Sequence, residues 1–257
     1  MKYKTMSVVI GLLLLSLLLS ACNLPSRQSV QEQSPTPPLA IAPAHTPTPT
    51  PLCDNQFFPT TKGDAWEYSG TNSSLGAYTR SDTITISGGD AFTLESKLAG
   101  VSYTVNFTCT SGGLVAADPV QQYAGAILSS PDAPVDVKIG NMEGTTLPAK
   151  INPGDTWQQT ADFEASSKDL NLNGRFVFDY TAIGYENVTV PFGTFNTLHV
   201  DATIRIEVTG LRILAGTYTL STWMAPGVGI VKSEGTSHVP GVDFTDSMQL
   251  TRFTTMP

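Results

Sequence analysis

At 257 residues, 40% of them apolar and only 14% charged, the chain is long enough to bury a sizeable core and carries few charges for a soluble cytosolic protein. Fourteen Lys and Arg against 22 Asp and Glu give a net charge of −8, which argues against a nucleic-acid partner, because phosphates are held by clustered Lys and Arg. With 22 Gly, 18 Pro and abundant Thr and Ser, the composition favours turns and strands over helices.

The chain opens with Lys2 and Lys4, then an apolar run from Val8 to Leu19. That run is too short for a bilayer core of about 30 Å, which needs about 20 helical residues, and has the length of a secretory h-region. Leu19-Ser20-Ala21-Cys22 resembles the bacterial lipobox, in which small residues fit the peptidase cleft and the thiol receives diacylglycerol. Residues 1–21 are therefore expected to be a lipoprotein signal peptide, with Cys22 the lipidation site. More than one acyl chain on one residue exceeds the single chain that binds marginally, so the expected localisation is extracytoplasmic, on a bacterial membrane reached through the N-terminal lipid.

Residues 22–52 follow as a lipidated cysteine and a disordered tether. Prolines stand at 25, 35, 37, 38, 43, 47, 49 and 51, and the alternation Thr46-Pro47-Thr48-Pro49-Thr50-Pro51 favours extended polyproline II without core-forming side chains. At ~3.1 Å per residue it reaches up to ~90 Å. His45 lies alone in it and is expected to be inert. Residues 53–257 are expected to form a single antiparallel β domain. Removing Lys2, Lys4, Arg27 and Glu32 from the count leaves it 11 cations and 21 carboxylates, an acidic surface that avoids anionic headgroups.

Within the domain the pattern has period two. Val101, Tyr103, Val105, Phe107 and Cys109 alternate with polar residues, and Leu198, Val200, Ala202, Ile204 and Ile206 alternate with Thr197, His199, Asp201, Thr203 and Arg205. Similar runs cover 92–98 and 176–181, and further strands are expected near 66–70, 78–87, 135–140, 156–165, 217–224, 228–234 and 244–253. One apolar and one polar face per strand is the mark of an antiparallel sheet solvated on one side. Asp118-Pro119, with Val120, Tyr123, Ala124 and Ile127 at helical spacing, predicts a short helix. The expected fold is thus mainly β, a curved antiparallel half-barrel with at most one or two short helices, the alternative being a β-sandwich. Gly63-Asp64-Ala65-Trp66 recurs as Gly154-Asp155-Thr156-Trp157, through duplication or through a shared turn-plus-strand entry.

Of three cysteines, lipidation of Cys22 leaves Cys53 and Cys109. Outside the cytoplasm an even pair points to a disulfide; the alternative, a metal pair, lacks a second pair of ligands nearby. No zinc-protease, nucleophile-elbow, Walker or dinucleotide motif is present. His199 and Asp201 share a strand face at a spacing that suits a metal, yet Thr203, Arg205 and Glu207 make that face more simply the solvated one. No catalytic residue, cofactor or metal is implied. Trp66, Trp157 and Trp223 are the candidate ligand-binding residues, weighed against the commoner role of large aromatics as core.

Three segments carry a family resemblance: Phe57-Phe58-Pro59 through Gly63-Asp64-Ala65-Trp66-Glu67-Tyr68, Val190-Pro191-Phe192-Gly193-Thr194-Phe195, and Trp223-Met224-Ala225-Pro226-Gly227-Val228-Gly229-Ile230-Val231-Lys232. In that order, after a lipobox, they resemble the TapB-like bacterial surface lipoproteins, which are distantly similar to LolA- and LppX-type lipid and lipoprotein carriers. The resemblance implies a half-barrel with helices on its concave side, although no helix precedes the first strand here. Two functions are expected from it and from the one-sided strands. One is a non-catalytic lipoprotein holding a lipid or other apolar ligand on the concave face. The alternative is an envelope structural or protein-interaction module with a filled core and an envelope protein as partner.

Overall fold

A computed structural model describes residues 52–117, 136–167, 170–209, 216–239 and 242–256. The expected signal segment, Cys22, the expected tether up to residue 51 and the helix expected at 118–127 lie outside these residues. Thirteen strands make up the described domain: β1 (Ala65–Asn72), β2 (Gly76–Ser87), β3 (Ala91–Leu98), β4 (Val101–Thr110), β5 (Gly113–Ala116), β6 (Asp136–Gly144), β7 (Leu147–Pro148), β8 (Thr156–Ser167), β9 (Leu170–Val190), β10 (Gly193–Val208), β11 (Gly216–Ala225), β12 (Gly229–Val239) and β13 (Val242–Thr254). There is no helix among the described residues.

All strands join one antiparallel sheet in the order β6-β8-β9-β10-β11-β12-β13-β1-β2-β3-β4-β5-β7. It contains two six-strand meanders, β1 to β5 with β7 and β8 to β13, and each opens with one of the Gly-Asp-x-Trp turns. Those turns share their bonding. Asp64 Oδ2 accepts from Thr61 N–H, as Asp155 Oδ2 does from Asn152 N–H. Gly63 N–H donates to Ile84 O on β2, and Gly154 N–H to Ala182 O on β9. The carboxylate closes the turn and the tryptophan enters the next strand facing inward, so the echo in sequence is an echo in topology.

The ladder does not close, but its two edges meet. β6 pairs with β8, and after two residues the same run continues as β7, paired with β5. At this corner Thr145 N–H donates to Gln158 O and Thr146 N–H to Leu114 O. Glycine is required on both sides: a Cβ on Gly144 (φ +84°) would lie 2.1 Å from Gln158 O, and one on Gly113 (φ +134°) 2.2 Å from Leu147 O. The Gln159 side chain, fully buried, accepts from Thr146 Oγ1 at 2.8 Å and donates to Ala116 O at 3.4 Å. A buried amide thus ties β8 to the far end of the sheet.

Bulges curl the sheet and re-aim side chains. Between β2 and β3 the register shifts after Ile84, so Ile84 opposes Leu94 whereas Ile86 opposes Thr93. Strict alternation puts both isoleucines inside; the shift leaves Ile84 1% exposed and Ile86 63% exposed. A second shift between β9 and β10 leaves Ile183 unopposed and half exposed.

The inner face carries two apolar clusters. The larger gathers Phe57, Trp66, Ile84, Phe92, Leu114, Leu198, Val231 and Leu250, with Phe58 packed against it. The smaller holds Val137, Phe163, Leu172, Phe176, Phe178 and Ile206, with Ile204 at its edge. Cys53 and Cys109 are joined by a disulfide, which pins the start of the domain to the end of β4.

Candidate functional site

The two faces of the sheet carry different chemistry. On the outer face, His199 (β10), Trp223 (β11) and Lys232 (β12) stand in register. The imidazole stacks on the indole at 4.5 Å between centroids, and Lys232 Nζ lies 4.2 Å from the indole centroid. The row is bound at its rim by carboxylates. Trp223 Nε1–H donates to Glu186 Oε1 at 2.6 Å, an oxygen that also lies 3.1 Å from His199 Nδ1. His199 Nε2 lies 3.0 Å from Asp201 Oδ1, and Lys232 pairs with Glu234 at 2.8 Å. Sequence reasoning leaves His199 as a solvated strand residue; the structure half-buries it against Trp223. The missing signal is inter-strand register, which one strand's alternation does not contain.

Ser221, Asp201 and His199 have the residue types of a hydrolytic triad but the wrong order. Ser221 Oγ–H donates to Asp201 Oδ1 at 2.6 Å, whereas a nucleophilic serine must give its proton to the imidazole. The carboxylate therefore holds the hydroxyl without activating it. Among the described residues no group of three or more His, Cys, Asp or Glu is arranged to hold a metal ion.

Further along the outer face, Asp162 and Arg175 form a 2.6 Å ion pair across β8 and β9, and Arg205 pairs with Asp179. The hydrogen bond from Arg175 holds the Asp162 carboxyl below the usual carboxylate range. A groove of about 800 Å3 runs beside this pair, lined by Lys138, Asn141, Glu164 and Glu207.

On the inner face, Asp82, Ser96 and Tyr103 stand in register across β2, β3 and β4. Arg80 pairs with Asp82 at 2.8 Å and lies over the Tyr68 ring. Burial, reinforced by the Asp82 carboxylate and opposed by Arg80, pushes the Tyr68 phenol far above its ordinary range, so it stays a donor, to Ile230 O at 3.1 Å. Ser96 is buried with its Oγ unpartnered.

The three candidate tryptophans all join the larger apolar cluster, Trp66 and Trp223 buried in it and Trp157 packed against it, and each has its own bonding. Trp66, on the inner face of β1, donates to Val228 O at 2.6 Å and stacks on Phe253. Trp157, on the inner face of β8, donates to Thr146 O at 3.2 Å and stacks on Tyr180. Trp223, on β11, is buried at the edge of the larger cluster with His199 and Lys232 against its ring. Each indole N–H is bonded to the protein, and each ring has protein partners of its own.

Two solved structures share the fold. A Bacteroides fragilis protein described as exported, with a YmcC-like fold, has a TM-score of 0.53 at 16% identity, over 79% of this chain and 100% of that one. A Parabacteroides distasonis protein described as a lipoprotein has a TM-score of 0.51 at 17% identity, over 78% of this chain and 99% of that one. No curated protein matches the sequence. The TapB-like and LolA/LppX likenesses rest on the quoted motifs alone. Residues 96–238, more than half of the sequence and most of the described sheet, match a family known by its sequence pattern, and the chain belongs to that family, the DUF3108-like proteins.

Proposed function

We propose that this protein is an extracytoplasmic, lipid-anchored and non-catalytic lipoprotein that presents its β domain on a tether as an interaction module. The observation that carries the reading is the N-terminus: a short apolar run ending in Leu19-Ser20-Ala21-Cys22, followed by a proline-rich segment. The descriptions of the two structural neighbours, one exported and one a lipoprotein, agree with it, as does a disulfide, which persists in oxidising compartments. The bonding order of Ser221, Asp201 and His199 supports a non-catalytic role. Palmitate labelling of the full chain tests the anchor: label is expected in the native chain and absent after Cys22→Ala, and an unlabelled native chain refutes it.

A lipid or other apolar ligand on the inner face is the second reading. It rests on the one-sided strands and the motif resemblance, Phe163, Phe176 and Phe178 on the long strands being themselves buried in the smaller cluster. Native mass spectrometry of the gently extracted protein is expected to show a bound lipid if it is right, and a bare protein mass counts against it.

A further inference from the structure

We infer that the end of the sheet from which the tether emerges is a docking surface for the membrane that holds the lipid; the inference rests on the anchoring proposed above. The antiparallel register puts one set of turns at this end: 61–64, 88–90, 111–112, 152–155, 191–192 and 226–228. The disulfide to Cys109 fixes Cys53 there, so the described chain begins, at Leu52, on the same rim.

This rim carries most of the exposed large apolar side chains, beside exposed Asp54, Lys62, Asp90 and Asp155. Among the described residues eight large apolar side chains are exposed, and six of them, Leu52, Ile86, Ile183, Tyr185, Phe192 and Met256, lie at this end; Leu75 and Val101 lie at the other. One of the six owes its exposure to a bulge: Ile86 sits where a register shift turns an apolar residue from the core to the outside, a device that re-aims side chains next to functional surfaces, and Ile183 is the unopposed residue of the second shift. Phe192 is held out on the β9–β10 turn, its N–H donating to Leu250 O and its ring stacked on Phe195. Met256 is held by its N–H to Asp64 Oδ1.

The occupant follows from the tether. About thirty residues between Cys22 and Leu52 keep this rim within tens of ångströms of the bilayer, at an effective concentration of order millimolar. Weak apolar contacts then suffice for docking. With 21 carboxylates against 11 cations, the domain is repelled by anionic headgroups, so the surface it fits is uncharged lipid.

The test is hydroxyl-radical footprinting of the full lipidated chain on phosphatidylcholine vesicles, before and after a lipase removes the ester-linked acyl chains. Labelling of Tyr185, Phe192 and Met256 is expected to be at least threefold lower in the anchored state, while Leu75 and Val101 label equally in both. The joint variant Tyr185→Ser, Phe192→Ser, two exposed positions, is expected to restore Met256 labelling at least twofold. Equal labelling at both ends, or protection that grows with protein density on the vesicle and so reports a second copy, overturns the inference. Intact mass separates the two failures. Acylated Cys22 without protection refutes docking alone, whereas an unacylated Cys22 refutes the anchor and docking with it.

Discussion

The corner where the two sheet edges meet makes a quantitative test through Gln159→Leu. The amide is fully buried and bridges Thr146 Oγ1 and Ala116 O. Leucine keeps most of the volume but removes an acceptor from the Thr146 hydroxyl and a donor from the Ala116 carbonyl. Each buried group left unsatisfied costs about 1–3 kcal/mol, and the added apolar burial returns about 1 kcal/mol. The expected destabilisation is about 2–4 kcal/mol, a large part of a typical domain's 5–15 kcal/mol. Urea unfolding followed by tryptophan emission measures it, since Trp157 lies two residues away and itself donates to Thr146 O. Thr146→Val supplies the second leg of a double-mutant cycle, and a coupling above about 0.5 kcal/mol is expected for a direct bond. A loss below 0.5 kcal/mol for Gln159→Leu, with strict additivity in the cycle, refutes the view that this amide joins the edges.

Three further outcomes are expected. Cys53 and Cys109, 56 residues apart, should resist iodoacetamide until reduced, and their joint replacement by Ala should lower stability by about 4 kcal/mol on the chain-entropy model, read as a fall in the urea midpoint. Ile204→Asp, which puts a carboxylate against the Phe178 and Ile206 cluster, should cost at least about 2 kcal/mol; Thr203→Asn, on the other face and opposite Asp179, should stay within about 0.5 kcal/mol. Arg175→Ala should return the lowered Asp162 pKa to the ordinary carboxylate range in an NMR titration. Because that pKa is depressed in the folded state, the pair's stabilisation is present above the unfolded carboxylate value, near pH 4, and fades as pH falls through the folded one.

What the sequence made legible is decided by range of information. Alternation along β10 assigns Leu198, Val200, Ala202, Ile204 and Ile206 to the inner face, and all are buried except Ile204, half-buried at the edge of its cluster, because the face of a strand residue is a local property. The two Gly-Asp-x-Trp turns were legible for the same reason, their bonds lying within four residues and one neighbouring strand. The exposure of Ile86 is not legible, because a bulge depends on what the partner strand does, and nothing between Thr83 and Ser87 records it. The short strands β5 and β7 were not foreseen, as four and two residues are too few to show a period. Gln159 looked like any polar residue in a strand, since its partners at 116 and 146 become neighbours only when the sheet curls. The outer row of His199, Trp223 and Lys232 is likewise a product of register across three strands. A one-layer sheet therefore announces its faces in sequence and conceals its rows. In this protein the rows hold the polar constellations, while the rim beside Leu52 carries most of the exposed apolar side chains, through which docking is inferred.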